Sequence, residues 1–184
     1  MGLREKRVLK TKGESAKVGL KDLKATLFWK TSSDLDLHCM YKTVNGDKGH
    51  IYFGKKGSLT SAPFIKLDGD AGVGNAMAVN GNEENIHFGD LSVIEELLIV
   101  ANVYGGGVNF AELGGTVTVS FGNEDLVVPL NSNKRSKWCT VAAIKKVDGV
   151  HQLVNINEVS SNKPEIGLIV PNRGVGGFFR GLFS

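Results

Sequence analysis

Three short acidic patches hold the residues best suited to chemistry: Ser33-Asp34-Leu35-Asp36-Leu37, Asp68-Gly69-Asp70 and Gly81-Asn82-Glu83-Glu84-Asn85. The last two flank one glycine-rich stretch, LDGDAGVGNAMAVNGNEENI (67–86), which contains no lysine or arginine. On a strand, Asp34 and Asp36 share one face while Leu35 and Leu37 take the other, so two carboxylates sit side by side. If the long loop folds over that strand, six carboxylates converge. Like charges ~5 Å apart, at an effective dielectric of ~20, repel by roughly 3 kcal/mol per pair. A hard divalent cation reverses that sign, and calcium accepts about 6–8 oxygens from carboxylates, amides and backbone carbonyls. Asp34, Asp36, Asp68, Asp70, Asn82, Glu83 and Glu84 are the candidate ligands. No sulfur or imidazole stands at ligand spacing beside them, which disfavours zinc and copper. The EF-hand pattern is absent, because from Asp68 its sixth position is Val73 and its twelfth is Val79.

Enzyme templates fail in turn. Gly72-Val73-Gly74 lacks the third glycine of a dinucleotide fingerprint, and no GxxxxGK[ST] loop exists. His38 adjoins Cys39, but neighbours on a strand face opposite ways and make a poor metal pair. Cys39 has no local nucleophile motif and reads as a buried structural residue. The carboxylates crowd into polar loops, not into the apolar setting that raises a catalytic acid's pKa. His87 is the sole base near the cluster that a metal-dependent hydrolase would need.

The elements that position these groups are strands. KATLFW (24–29), DLDLHCMY (34–41), HIYF (50–53) and IHF (86–88) are short and rich in β-branched or aromatic residues. In LSVIEELLIVANVY (91–104), Ser92 and Glu95 match a capping box, so the segment reads as one helical turn feeding a central strand. GTVTVSF (115–121) and DLVVPL (125–130) form a hairpin, and KWCTVAAIKKV (137–147) pairs with HQLVNINEV (151–159) across Asp148-Gly149, a type I′ turn signal. Fold class is all-β: an antiparallel sandwich with long acidic glycine-rich loops and one or two short helical turns.

The chain has 184 residues and a net charge of +3, a length that suits one domain with appendages. Residues 1–22 read as a basic N-terminal arm, 23–160 as the sandwich, and 161–184 as a tail ending in the apolar FFRGLF. From Met1 to Lys24 there are eight Lys/Arg against three acids. The arm has no interleaved aromatics, so solvated charge is preferred over nucleic-acid binding. The tail offers peripheral membrane contact or docking on a partner or on this domain. Cys39 and Cys139 do not make a secreted disulfide framework, and reduced thiols in a cytoplasmic protein are the simpler reading. No apolar run reaches the ~18 residues of a membrane helix.

DLDLH, IYF, LDGDAGVG, GNEENIHF, LLIVANVY and NFAEL, in this order, resemble the TerD tellurite-resistance and stress-response family from about Leu23 to Glu158. The resemblance implies a compact β-sandwich binding one or two calcium ions through its acidic loops, without catalytic activity. It also implies a stress-response role beside other tellurium-resistance proteins. By position, Asp34 and Asp36 match the family's DLD acids and Asp70 its GD aspartate. Asn82, Glu83 and Glu84 stand where the family has GDDE. Asn82 thus removes one negative charge, and FFRGLF replaces the usual WxF-AxGxG ending.

Overall fold

The computed structural model describes residues 2–69 and 81–167. Among these residues fifteen strands form: β1 (Glu5–Val8), β2 (Ser15–Lys17), β3 (Lys21–Trp29), β4 (Leu35–Thr43), β5 (Lys48–Ile51), β6 (Gly57–Ser58), β7 (Ile65–Leu67), β8 (Asn82–Asp90), β9 (Ile94–Val103), β10 (Val108–Asn109), β11 (Thr116–Phe121), β12 (Glu124–Pro129), β13 (Arg135–Ser136), β14 (Trp138–Val147) and β15 (Val150–Ser160). A seven-stranded sheet runs β1-β12-β11-β3-β8-β7-β6 and a six-stranded sheet runs β2-β15-β14-β9-β4-β5. β10 and β13 form a small separate ribbon. Two 3-10 turns, Leu91–Val93 and Phe110–Leu113, complete the set. The all-β sandwich with short helical turns is therefore observed.

Alternation explains the seven-stranded sheet. β3 turns Leu23, Ala25, Leu27 and Trp29 inward while Lys24, Thr26 and Phe28 lie on the wetter face. β11 buries Val117 and Val119 in the same way. These side chains meet Leu37, Cys39, Ile99 and Val141 of the six-stranded sheet in one continuous core. Each fully buried Leu, Ile or Phe there contributes about 1.5–3 kcal/mol. The six-stranded sheet departs from simple alternation, because the middles of β4, β9, β14 and β15 are buried on both faces. Its outer face carries a second apolar cluster of Met40, Leu98, Val100, Ala143, Val154 and Ile156.

Both expected hairpins form. β11 and β12 pair Phe121 with Glu124, and β14 and β15 pair Val147 with Val150. Asp148 (φ 50°) and Gly149 (φ 79°) supply the two left-handed residues that a type I′ turn requires. The helical turn before β9 forms too, but its cap is Asp90, whose side chain accepts from the Ser92 backbone N–H, and not a Ser92–Glu95 box.

Two stretches differ from the sequence reading. The basic arm is woven into both sheets: β1 lies parallel to β12, β2 pairs with β15, and Leu9 and Val18 are buried. Arg4 fixes the outer end by bonding the Asp125 carboxylate (2.7 Å) and the carbonyls of Gly122 and Glu124. The other stretch is Gly81-Asn82-Glu83-Glu84-Asn85, read as loop, where β8 already begins at Asn82. The FFRGLF tail and Asp70 lie outside the described residues. No helix among the described residues is long and apolar enough to cross a membrane.

Candidate metal centre at the open edge of β4

β4 pairs with β9 along its length, from Leu35 opposite Val103 onward, but β5 covers its other edge only from Cys39 to Lys42. Between Leu35 and His38, no strand among the described residues lies beside that second edge. Backbone N–H groups buried at such an edge need an acceptor. Glu84 provides one: its Oε2 accepts the Leu37 N–H at 2.7 Å. The carboxylate belongs to β8 in the facing sheet, where Glu84 sits opposite Leu27 and is 3% exposed. Strand alternation turns Asn82, Glu84, Ile86 and Phe88 inward together. The first two are thus polar residues occupying core positions at the mouth of the sandwich.

The DLD strand meets them there. Leu35 and Leu37 enter the core as expected, and Asp36 takes the other face, opposite Asn102 and 9% exposed. Leu37's nitrogen belongs to the peptide that follows Asp36, so the Glu84 carboxylate rests on the backbone one residue from a second, nearly buried carboxylate. Asp34 is anchored through its carbonyl, which accepts the Tyr104 N–H at 3.0 Å. The Trp29 indole Nε1–H donates to the Ser33 carbonyl at 2.7 Å and fixes the entry to the strand. Asn82 reaches the Thr31 carbonyl through Nδ2 at 3.5 Å. Before it, Gly81 (φ 93°) passes so close to Phe28 that a Cβ would lie 2.6 Å from the ring and 2.9 Å from the Trp29 carbonyl oxygen. Only glycine fits that entry to β8.

The other candidates point elsewhere. Glu83 is exposed, opposite Phe28, on the outer face of the seven-stranded sheet. Asp68 follows β7, gives its N–H to the Asn85 carbonyl at 2.9 Å, and bonds His87 Nε2 through Oδ2 at 2.9 Å. The structure therefore turns Asn82 and Glu84 inward, with Glu84 on the Leu37 N–H, while Asp36 lies on the outer face of β4 and Asp68 and Glu83 on the outer face of the seven-stranded sheet. Among the described residues, no group of three or more His, Cys, Asp or Glu side chains is placed to hold a metal ion. The oxygen-only donors near the β4 edge suit a hard cation in kind.

A cluster that sequence reading missed lies further along β4. His38 Nδ1 and His50 Nε2 are 2.8 Å apart, with one nitrogen donating and the other accepting. Tyr52 stacks on His50 with centroids 4.5 Å apart, and Trp138 meets the His38 ring edge-on at 5.0 Å. Phe53 stands against Tyr52 and is 53% exposed. Burial, reinforced by the neighbouring His50 and by Lys163, brings His38 down to about 3; His50 falls to about 4, chiefly by burial. The only signal in the sequence was the same-face spacing of His38 with Met40 and of His50 with Tyr52. Cys39 and Cys139 are unpaired thiols buried in the core. Burial pushes Cys39 far above the ordinary thiol range and Cys139 up to about 12, which removes both as nucleophiles near neutral pH.

No protein-family model matches the chain, and no curated protein matches it. Solved structures do. A homologue of the telluride resistance protein TerD, SCO6318 from Streptomyces coelicolor A3(2), aligns with a TM-score of 0.56 and 18% identity, over 79% of this chain and 94% of the other. The fold is TerD-like. A protein of unknown function, SAV2460, aligns with a TM-score of 0.59 and 14% identity, over 80% and 94% of the two chains. At such identities the TerD-like comparison establishes the architecture, and the chemistry must be argued from this chain's own side chains.

Proposed function

We propose that this chain is a divergent TerD-like protein that binds calcium, has no catalytic activity of its own, and acts through the surface its acidic segment forms once an ion is bound. The observation that carries the reading is the nearly buried Glu84 carboxylate on the Leu37 N–H at the open edge of β4, one residue from Asp36 on that strand's other face. A carboxylate as buried as Glu84 is held by strong donors such as the Leu37 N–H, and its remaining oxygen lone pairs suit a hard cation. Calcium bound there would supply positive charge and cross-link the two sheets to the segment between β7 and β8. Its ligands in this reading are Asp34, Asp36 and Glu84, the amide oxygen of Asn82, and Asp70. Asp68 and Glu83, on the other face, drop out of the set. A cytoplasmic stress-response role among other tellurium-resistance proteins follows from the resemblance alone.

Calcium titration by calorimetry, with thermal melts in calcium and in chelator, tests the reading. A ligand at one hundred times its Kd stabilises the native state by about 2.7 kcal/mol, roughly 5–10 °C for a domain of this size. Identical midpoints in millimolar calcium and in chelator would sink it.

A further inference from the structure

The second apolar cluster poses a question that the metal site does not answer. An outer sheet face is ordinarily polar and wet. Here Met40, Leu98, Val100, Ala143, Val154 and Ile156 lie on the outer face of the six-stranded sheet, each 4% exposed or less. Burial that complete requires chain laid across them. Among the described residues, the partly buried apolar side chains packed on this cluster are Trp138 and Ile166. His38 belongs to the same face, and its Nε2 is buried without a hydrogen-bond partner among the described residues. Chain that continues across the face would supply both the missing layer and an acceptor or donor for that nitrogen.

We propose that residues 168–184 form this layer in cis, so that the outer face of the six-stranded sheet is a docking platform for the chain's own C-terminus. The connectivity favours this occupant. The described chain reaches Gly167 immediately after Ile166, which already rests on the cluster. The remaining 17 residues extend by at most about 56 Å at ~3.3 Å each, whereas six strands at ~4.8 Å spacing are about 24 Å across. Their composition fits as well. Leu168, Ile169, Val170, Phe178, Phe179, Leu182 and Phe183 are apolar, the only charged side chains are Arg173 and Arg180, and glycines between them permit close approach to a flat sheet. Asp36 shares this outer face with His38 and Met40, so both experiments are run in chelator, where the layer must form without calcium.

Two experiments on the full chain test it. In the wild type, trypsin at native pH should cleave after Arg173 and Arg180 at least tenfold more slowly than in a synthetic 168–184 peptide. Cleavage at peptide-like rates overturns the proposal. In the variant Phe178→Asp/Phe179→Asp/Phe183→Asp, dye binding to apolar surface should rise several-fold and the melting midpoint should fall by roughly 5 °C or more. Acrylamide should then also quench Trp138, which borders the cluster, while Trp29 in the main core stays shielded. Unchanged dye binding, midpoint and quenching overturn the proposal. A wild type that sediments as a dimer and a variant that sediments as a monomer overturn it too, because the occupant is then a second copy. Trypsin protection that appears only with anionic vesicles assigns the tail to a membrane and likewise overturns it.

Discussion

Mild acid should weaken this fold through His38 and His50, and the size of the effect follows from their surroundings. In the unfolded chain each imidazole titrates near ~6.5. In the fold His38 titrates at about 3 and His50 at about 4. The folded pKa values are depressed, so between pH ~6.5 and ~4 the unfolded state binds protons that the native state refuses. Stability therefore falls as pH drops through that window. From pH 6.5 to 5.0, His38 alone costs about 1.6 kcal/mol. His50 is partly solvated and is assigned about half of that, giving about 2.4 kcal/mol for the pair. The geometry supplies the reason: one nitrogen must donate and the other accept across 2.8 Å, and a second proton places two N–H groups head to head beside Lys163 and Lys55. The acids Asp90, held near 2 by Lys21 and Ser92, and Asp125, held low by Arg4, lose their contributions only at lower pH and do not enter this window. Urea unfolding of the wild type and of His38→Gln/His50→Gln at pH 6.5 and 5.0, in chelator, measures the difference. The wild type should lose about 1.6–2.4 kcal/mol more than the variant. Equal losses would refute the assignment.

Three further outcomes are expected. Glu84→Ala should cost about 1–3 kcal/mol in chelator by leaving the Leu37 N–H without its acceptor, whereas Glu84→Gln, which keeps an oxygen there, should cost less in chelator yet abolish the calcium-induced rise in melting midpoint. Asn82→Asp should act with opposite signs, lowering the midpoint in chelator by adding charge beside Glu84 and raising calcium affinity about tenfold or more by calorimetry; no change in either condition would remove Asn82 from the site. Cys39 and Cys139 should resist a thiol reagent in the native protein and both react in denaturant, since each is buried and its thiolate strongly disfavoured.

What the sequence revealed and what it hid follow one physical division. β11–β12 and β14–β15 were legible because β-branched residues alternate and a short turn of suitable chemistry joins the strands. β8 was half hidden: Asn82 and Glu84 occupy inward positions normally read as apolar, and their low strand propensity is overridden by contacts from β3 and β4. β1 was hidden altogether, since Glu5, Lys6 and Arg7 are exposed on an edge strand whose partner lies about 120 residues away. DLD was legible as a strand with acids on one face. That Glu84, and not Glu83, turns toward it depends on the register of β8 against β3, which local pattern does not fix. The double-sided burial of β9 did leave a trace, since LLIVANVY has too few polar residues for a sheet with one wet face.

The weaving of residues 5–18 into both sheets also bears on how the protein is made. β1 finds its partner only when Glu124–Val127 exists, and β2 only when Gln152–Val154 exists. At the ~5–20 residues per second of synthesis, the N-terminal segment waits about 6–28 s for the strands it will join. During that interval an apolar edge strand would invite pairing with other nascent chains. Arg4, Lys6, Arg7, Lys10 and Lys12 keep the waiting segment hydrated and mutually repelling, which casts the basic character of this stretch as protection for a strand that folds last.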